Sequence, residues 1–244
     1  GGERLMPADT MVIAESVMNE NQKQRFDEKG EVDMSFAIAG EGRYRVNVYK
    51  QRGSAAMAFR LVDTVVPAPE ALGVPASVID LYQKKRGLIL VTGPTGSGKS
   101  TTLAAIIDKI NNNREAHVIT LEDPIEYLHQ HKQAIVNQRE IGLDTMSYAN
   151  ALRAALREDP DVILVGEMRD FETISVAITA AETGHLVLST LHTIGAASTV
   201  DRVIDVFPPH QQQQIRVQLA NVLEAVISQQ LIPMIGGKGR AAAF

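Results

Sequence analysis

Apolar and polar residues alternate differently in the first quarter of the chain and in the remainder. In the first quarter, a rough apolar face predicts a helix over residues 9–26, and Gly30 ends that segment. Three runs of strand length follow, at 32–38, 44–49 and 55–61, with turn residues between them. The pattern predicts a small α+β domain with an antiparallel sheet over residues 1–64.

After a proline-containing segment the pattern changes. Residues 65–69, Val-Val-Pro-Ala-Pro, are typical of an extended linker, and we place the domain boundary within 65–75. Short, nearly continuous apolar runs then alternate with helical stretches; the runs are 88–92, 118–121, 162–165 and 186–189, and the helices 99–112, 147–157 and 170–182. Such alternation predicts an α/β domain over 76–244, with a mainly parallel sheet covered on both faces.

Composition narrows the class of protein. The 24 basic and 29 acidic residues give a net charge of −5, which argues against a general nucleic-acid or anionic-membrane binder. The sequence has no cysteine, which excludes thiol nucleophiles and cysteine-bound zinc. No apolar run reaches the roughly 18 residues that span a bilayer. We therefore expect a cytoplasmic protein with no nucleic-acid partner and no direct membrane insertion.

A glycine-rich segment after the strand at 88–92 matches the phosphate-binding P-loop pattern. The glycines let successive backbone N–H groups face a phosphate, and the following helix adds the positive end of its dipole. Lys99 can bridge the β- and γ-phosphates of a nucleotide, and Ser100 can bind Mg²⁺. The predicted nucleotide-binding residues are Gly93, Pro94, Thr95, Gly96, Ser97, Gly98, Lys99, Ser100 and Thr101.

Carboxylates follow two other apolar strands. Glu167 comes after 162–165, a strand expected beside the P-loop, and we interpret it as the base or water-orienting group. Gly166 stands where many such strands carry a metal-facing aspartate. Glu122, Asp123 and Glu126 follow 118–121 and can hold hydrated Mg²⁺ in its place. The alternatives are a surface or capping acid at 167 and a capped turn at 122–126.

Two further features have both a functional and a structural interpretation. His192 ends the strand that begins near His185, on the side where ligands bind, and it can sense a γ-phosphate or have a purely structural role. Arg45 and Arg60 lie inside apolar strand patterns of the first domain, where a charge needs a partner. A bound triphosphate would supply that partner, as for an arginine finger; otherwise they belong to a solvated face.

Taken together, the motifs resemble those of the type II/IV secretion ATPase superfamily, and most closely its type IV pilus retraction branch. The segments that carry the resemblance are GRYRVNVYKQRGS at 42–54, GPTGSGKSTTLAA at 93–105, ITLEDPIEY at 119–127, the segment 136–170 that ends in VILVGEMRD, and TAAETGHLVLSTLHT at 179–193. The resemblance implies a PAS-like N-terminal domain and a RecA-like ATPase domain that assemble as a homohexameric ring.

The resemblance also implies roles for individual residues. Glu126 is the acidic-box residue, Glu167 the Walker B glutamate, and His185 and His192 the histidine-box pair. Arg45 and Arg60 match the arginines that reach the γ-phosphate. Catalysis is thus expected from Glu167, Glu126, Arg45, Arg60 and His192, and Mg²⁺ binding from Ser100, Glu126 and Glu167.

The function that follows is an Mg-dependent ATPase that drives pilus retraction by pilin depolymerisation. It would act at the cytoplasmic face of the inner membrane, with the pilus platform protein and pilus machinery as partners. Pilus-assembly and type II secretion ATPases are alternatives, but they usually carry a four-cysteine zinc element that this sequence lacks. A ring subunit that regulates a partner motor and a DNA translocase are further alternatives. Both ends of the chain are interpreted as truncations, with a C-terminal region expected after Phe244.

Overall fold

The computed structural model describes residues 2, 4–39 and 41–244, and it divides the chain into two compact units between Asp63 and Thr64. The boundary lies just before the predicted linker. Leu72 and Val74, in the second half of that linker, pack against a core of the second unit. The whole predicted linker belongs to the second unit, and Val66 in its first half packs against the same core.

The first unit has two helices where the sequence predicted one over 9–26. Helix α1 is Pro7–Val17 and helix α2 is Glu20–Lys29. Asn19 separates them: its side chain accepts a hydrogen bond from the N–H of Gln22 at 2.9 Å, and the Gln22 side chain accepts from the N–H of Asn19 at 2.8 Å. This reciprocal capping box starts a new helix, which overrides the continuous apolar pattern. Gly30 ends α2 in the left-handed conformation, as predicted.

Three antiparallel strands complete this unit, in the order β1-β2-β3: Glu31–Ile38, Gly42–Gln51 and Ser54–Leu61. Val46 and Val48 of β2 point into a core shared with Ala14 and Phe26 of the helices. Arg45 and Arg60 lie directly opposite each other on β2 and β3, and both are exposed. Alternation along each strand places both side chains on the solvated face, and their role as arginine fingers stays a prediction.

The second unit is built on a six-stranded sheet in which every paired strand is parallel. The order across the sheet is β6-β5-β7-β8-β4-β9. Its strands are β4 Gly87–Thr92, β5 His117–Glu122, β6 Ile135–Glu140, β7 Val162–Val165, β8 Leu186–Leu191 and β9 Leu223–Ser228.

Helices cover both faces of this sheet, as predicted for an α/β domain. One core packs α5 (Tyr148–Ala155), α6 (Phe171–Glu182), α7 (Ala196–Asp205) and α8 (Pro209–Val222) on one face. The other core packs α3 (Ala76–Ile79), a 3-10 turn (Asp80–Gln83) and α4 (Lys99–Asn113) on the opposite face. A hairpin of β10 (Gln230–Pro233) and β11 (Arg240–Ala243) follows β9.

One strand, β8, separates the strand that precedes Glu167 from the P-loop strand. β7 pairs with β5 and β8, and β8 lies between β7 and β4. This order places the carboxyl ends of the strands that carry Glu167, His192 and the P-loop side by side. Within the described part of the chain, no helix is both long and apolar enough to cross a bilayer.

Candidate functional site

The P-loop joins the buried strand β4 to helix α4. Gly96 and Gly98 have φ angles of +78° and +90°, in the left-handed region where a side chain would be strained. Gly98 is the N-cap of α4, which begins at Lys99. The loop thus presents backbone N–H groups and the N-terminus of a fifteen-residue helix to the same space, which suits a phosphate group.

A cavity of about 580 Å³ opens in front of this loop. Its walls are the P-loop, the start of α4 and the carboxyl ends of β5, β7 and β8. The predicted site residues that line it are Thr95, Gly96, Gly98, Lys99, Ser100, Thr101, Glu126, Glu167 and His192. Gly93, Pro94 and Ser97 do not line it; Gly93 and Ser97 are buried behind the loop.

Lys99 is turned onto the P-loop itself. Its Nζ donates to the carbonyl oxygens of Gly93 at 2.8 Å and Pro94 at 2.9 Å, and its side chain is buried. Burial lowers the pKa of Lys99, while the carboxylates of Glu167 and Glu126 act in the opposite direction. A buried ammonium whose protons rest on neutral carbonyls can exchange these for phosphate oxygens, which carry charge and accept more strongly.

Glu167 and His192 contact each other next to Lys99. His192 Nε2 lies 2.9 Å from Glu167 Oε1, and His192 Nδ1 lies 3.5 Å from Lys99 Nζ. Arg169 Nε also donates to Glu167 Oε1. The imidazole therefore bridges the P-loop cation and the carboxylate. The ring of His192 lies at the cavity and between charged groups, and a functional role for it stays a prediction.

His185 lies at the other end of β8 and has a local role. Its Nδ1 is 2.9 Å from the carbonyl oxygen of Ala180 and 3.3 Å from the hydroxyl of Thr183, both at the end of α6. The carbonyls in the last turn of a helix need such partners. The resemblance pairs His185 with His192, but only His192 lines the cavity.

The acidic segment after β5 is less uniform than its sequence suggests. Glu122 Oε2 accepts hydrogen bonds from Thr120 Oγ1 at 2.6 Å and Gln138 Nε2 at 3.0 Å, and burial raises the pKa of Glu122. Asp123 and Glu126 are exposed and line the cavity. Glu122 thus holds Gln138 of β6, and the two exposed acids remain available to a hydrated cation.

The raised pKa of Glu122 makes a prediction about stability. The folded protein binds that proton more tightly than the unfolded chain, so the stabilisation is complete below the ordinary glutamate pKa and is lost as pH rises through the folded value. Glu122→Gln keeps the accepting oxygen but does not ionise. We expect its Tm to exceed that of the wild type by about 2–4 °C near pH 8 and to match it near pH 4.

Thermal melts followed by circular dichroism across that range test the expectation. Glu115→Gln is the matched control, since Glu115 is exposed and precedes the same strand. A Tm difference for Glu122→Gln that does not grow with pH would contradict the inferred cost of burying the charge.

Tyr148 explains why a glycine follows β7. A Cβ on Gly166 would lie 2.9 Å from the Tyr148 hydroxyl and 3.0 Å from the Leu121 carbonyl oxygen. An aspartate at 166 would therefore need a rearrangement of α5 or β5. Burial, together with the nearby carboxylates of Asp123, Glu167 and Glu122, raises the pKa of Tyr148, so its hydroxyl stays protonated at the cavity. Sequence reasoning missed this residue because it is 18 positions from Gly166, and although segment 136–170 contains it, nothing in that segment shows that its hydroxyl reaches Gly166.

Side-chain hydrogen bonds tie the strand ends together. Two side chains of β8 donate hydrogen bonds at 2.6 Å to carbonyl oxygens at the end of β7. Ser189 Oγ donates to Val165, and Thr190 Oγ1 donates to Gly166. Thr92 Oγ1, at the end of β4, lies 2.8 Å from Thr193 Oγ1, which follows His192. These bonds fix the position of His192 along the strand direction relative to β7 and β4, the strands on either side of β8.

No group of three or more His, Cys, Asp or Glu residues within the described ranges is placed to hold a metal ion by itself. Mg²⁺ is commonly held by one or two protein oxygens together with substrate phosphates and water. The exposed hydroxyl of Ser100 and the carboxylates of Glu126 and Glu167, which line one cavity, suit that mode of binding.

Comparison with known proteins identifies the family of the chain. The family described as type II/IV secretion system protein matches residues 73–242. The "Type IV pilus retractation ATPase PilT" of Pseudomonas aeruginosa is 53% identical over 227 residues, which are 93% of this chain and 66% of the relative. The "Twitching motility protein" of Neisseria gonorrhoeae is 53% identical over 228 residues, 93% of this chain and 61% of the relative. The chain therefore spans less than two thirds of the length of these curated relatives.

A solved structure described as "Crystal Structure of the Pilus Retraction Motor PilT and Bound ADP" superposes with a TM-score of 0.94. It is 57% identical in sequence, and the match covers 98% of this chain and 70% of that one. The expected architecture, a RecA-like α/β domain after a small α+β domain, is confirmed by this superposition. With the family match spanning most of the second unit, these findings identify the chain as a member of the type II/IV secretion system protein family.

Proposed function

We propose that this chain is the ATP-hydrolysing part of a motor that drives type IV pilus retraction. The observation that carries the proposal is the contact between Lys99, His192 and Glu167 at one cavity, in front of a P-loop. A cation that binds phosphate and a residue that orients the attacking water are recurring parts of sites that transfer a phosphoryl group to water, and Lys99 and Glu167 suit these two roles. The similarity to proteins described as pilus retraction ATPases is the reason for proposing that ATP hydrolysis drives pilus retraction.

In the proposed reaction, the triphosphate enters along the N-terminus of α4. The ammonium of Lys99 exchanges the Gly93 and Pro94 carbonyl oxygens for phosphate oxygens. Glu167, released from Arg169, orients a water molecule in line with the γ-phosphorus and accepts its proton. As the water oxygen bonds to the γ-phosphorus, the bond from that phosphorus to the β–γ bridging oxygen breaks, and ADP and phosphate leave. His192 keeps Glu167 and Lys99 at a fixed separation, and it can register the loss of the γ-phosphate.

Mg²⁺, when bound, would neutralise charge on the phosphate oxygens. Ser100 and the acids at 126 and 167 are the groups that would hold it with its water shell. A direct test is turnover by the purified chain as Mg²⁺ is removed with EDTA and restored.

Arg45 and Arg60 are proposed to act as arginine fingers in this reaction. Both are exposed and face each other across β2 and β3, where two like charges repel unless an anion lies between them. A finger acts on the transition state, so Arg45→Ala and Arg60→Ala should each lower kcat by about 10³-fold or more. The dissociation constant for ATP should change by less than about threefold, since the ground state gains little from the contact.

Turnover and equilibrium binding, measured on the same preparation, test this role. Arg52→Ala serves as the control, because Arg52 is an exposed arginine in the turn between the same two strands. If both variants lose affinity alone, or neither differs from the control, the arginines have only a structural role.

The assembly proposed is a homohexameric ring at the cytoplasmic face of the inner membrane, working on the pilus platform protein. Mass measurement by light scattering with and without ATP tests the ring, which should have about six times the 26.5 kDa of one chain.

A chimaera that carries this chain in place of the matching region of a retraction ATPase should restore twitching to a deficient strain. Restored pilus assembly without retraction would instead support the assembly class.

A further inference from the structure

Gln229 lies between the last strand of the main sheet and the C-terminal hairpin, and its backbone touches the start of the P-loop. It is 3% exposed. Its N–H donates to the carbonyl oxygen of Thr92, the last residue of β4, at 2.8 Å. Its own carbonyl oxygen would be only 2.1 Å from a Cβ on Gly93. The backbone of Gln229 therefore packs against Gly93, the first residue of the P-loop, and leaves no room for a side chain there.

The side chain of Gln229 reaches the other end of the same loop. Its Oε1 accepts a hydrogen bond from Thr102 Oγ1 at 2.8 Å, and both side chains are buried. Its Nε2 would lie 2.9 Å from a Cβ on Gly98, the N-cap of α4. One residue thus contacts the first and last glycines of the P-loop, the strand before the loop and the first turn of the helix after it.

These contacts add a restraint to the loop, which Lys99 also holds through the carbonyl oxygens of Gly93 and Pro94. Glycines have many backbone conformations, so a glycine-rich loop loses entropy when it closes around a phosphate. A side chain packed behind the loop removes part of that freedom before the ligand arrives, which improves affinity. The Thr102 hydroxyl would otherwise turn to a backbone carbonyl one helical turn earlier.

We propose that Gln229 is a positioning residue for nucleotide binding: it sets the P-loop from behind and joins it to the hairpin β10–β11. Leu231, two residues further along, lines the cavity from β10. The hairpin and the phosphate site are therefore linked through three consecutive residues. The proposal rests on the proposed function only in taking this cavity as the nucleotide site.

Three variants test the contact. Gln229→Met keeps the length of the side chain and removes its hydrogen bonds, and Thr102→Val removes the same bond from the other partner. Gln230→Met, at the exposed neighbouring position, is the control. We expect the dissociation constant of a fluorescent ADP analogue to rise about tenfold in each of the first two variants and to stay within about twofold in the control.

The double variant distinguishes one shared contact from two separate ones. If the Thr102–Gln229 bond sets the loop, the combined change should weaken binding no more than either single change. The KM for ATP should rise by more than kcat falls, which general destabilisation would not produce. Melting temperatures identify the range in which each variant is folded, and affinities are compared there.

The outcomes separate this inference from the proposed function. A wild-type chain that binds ADP, with Gln229→Met and Thr102→Val binding it equally well, would overturn the positioning role and leave the proposed function standing. A wild-type chain that binds ADP without hydrolysing ATP would contradict the proposed function alone. Lower melting temperatures with unchanged affinity would mean that Gln229 only supports the fold.

Discussion

Lys99→Ala should abolish measurable nucleotide binding. Lys99 is the P-loop cation, and its ammonium is already buried against the loop, so no solvated lysine has to be brought in when phosphate arrives. Charge-assisted hydrogen bonds to phosphate oxygens are among the stronger polar contacts in proteins. Loss of two of them corresponds to a fall in affinity of about 100-fold or more. Isothermal titration with ADP and with a non-hydrolysable ATP analogue measures the effect.

Lys85→Ala is the matched control, since Lys85 is exposed and lies just before the P-loop strand. It should bind as the wild type does. If the affinity of Lys99→Ala is within about threefold of that of the wild type, the P-loop is not the phosphate-binding site, and the proposal of nucleotide binding at this cavity is contradicted.

Glu167→Gln should separate binding from hydrolysis. The amide keeps an oxygen that can accept from His192 Nε2 and Arg169 Nε, so the arrangement around the cavity should persist. It does not accept the proton of the attacking water, and general-base catalysis commonly contributes about 10²–10⁴-fold. We expect ATP turnover to fall by that factor while the affinity for Mg-ATP changes by less than about threefold.

Both quantities should be measured on one preparation, with Glu172→Gln as the control because Glu172 is an exposed acid a few residues further along. Turnover of Glu167→Gln within about tenfold of the wild type would assign the base elsewhere. Glu126, which lines the same cavity, would be the next residue to test.

The parts of the fold that follow from local pattern were predictable. Continuous apolar runs gave four of the six sheet strands, and the P-loop gave the start of α4, because in both cases the signal lies within a few neighbouring residues. β6 was missed because it lies at the edge of the sheet and four of the six residues in its sequence, IVNQRE, are polar. The break between α1 and α2 was missed because the capping box at Asn19 interrupts an apolar face that continues on both sides.

The candidate site was predictable as far as its motifs extend. Glu167 and His192 were found because strand ends meet at one edge of a parallel sheet. Their direct contact depends on the strand order, which sequence periodicity does not contain. Tyr148 and Gln229 carry no signal of this kind: each reaches the site from a distant segment and is recognisable only once the chain is folded. The exposure of Arg45 and Arg60 follows from alternation along their strands and agrees with the solvated face that the sequence left as one alternative.

β8 lies between the strands that precede Lys99 and Glu167, so the register of the sheet sets the distances from His192 to both residues. Thr92 lies opposite Leu191, and Val165 lies opposite Ser189. A shift of β8 by one residue would move His192 by about 3.3 Å, beyond reach of one of its two partners. Turnover is therefore coupled to the packing of the sheet interior. A substitution of a buried side chain in the sheet can therefore lower activity by moving His192. Such a loss does not by itself identify the substituted residue as catalytic.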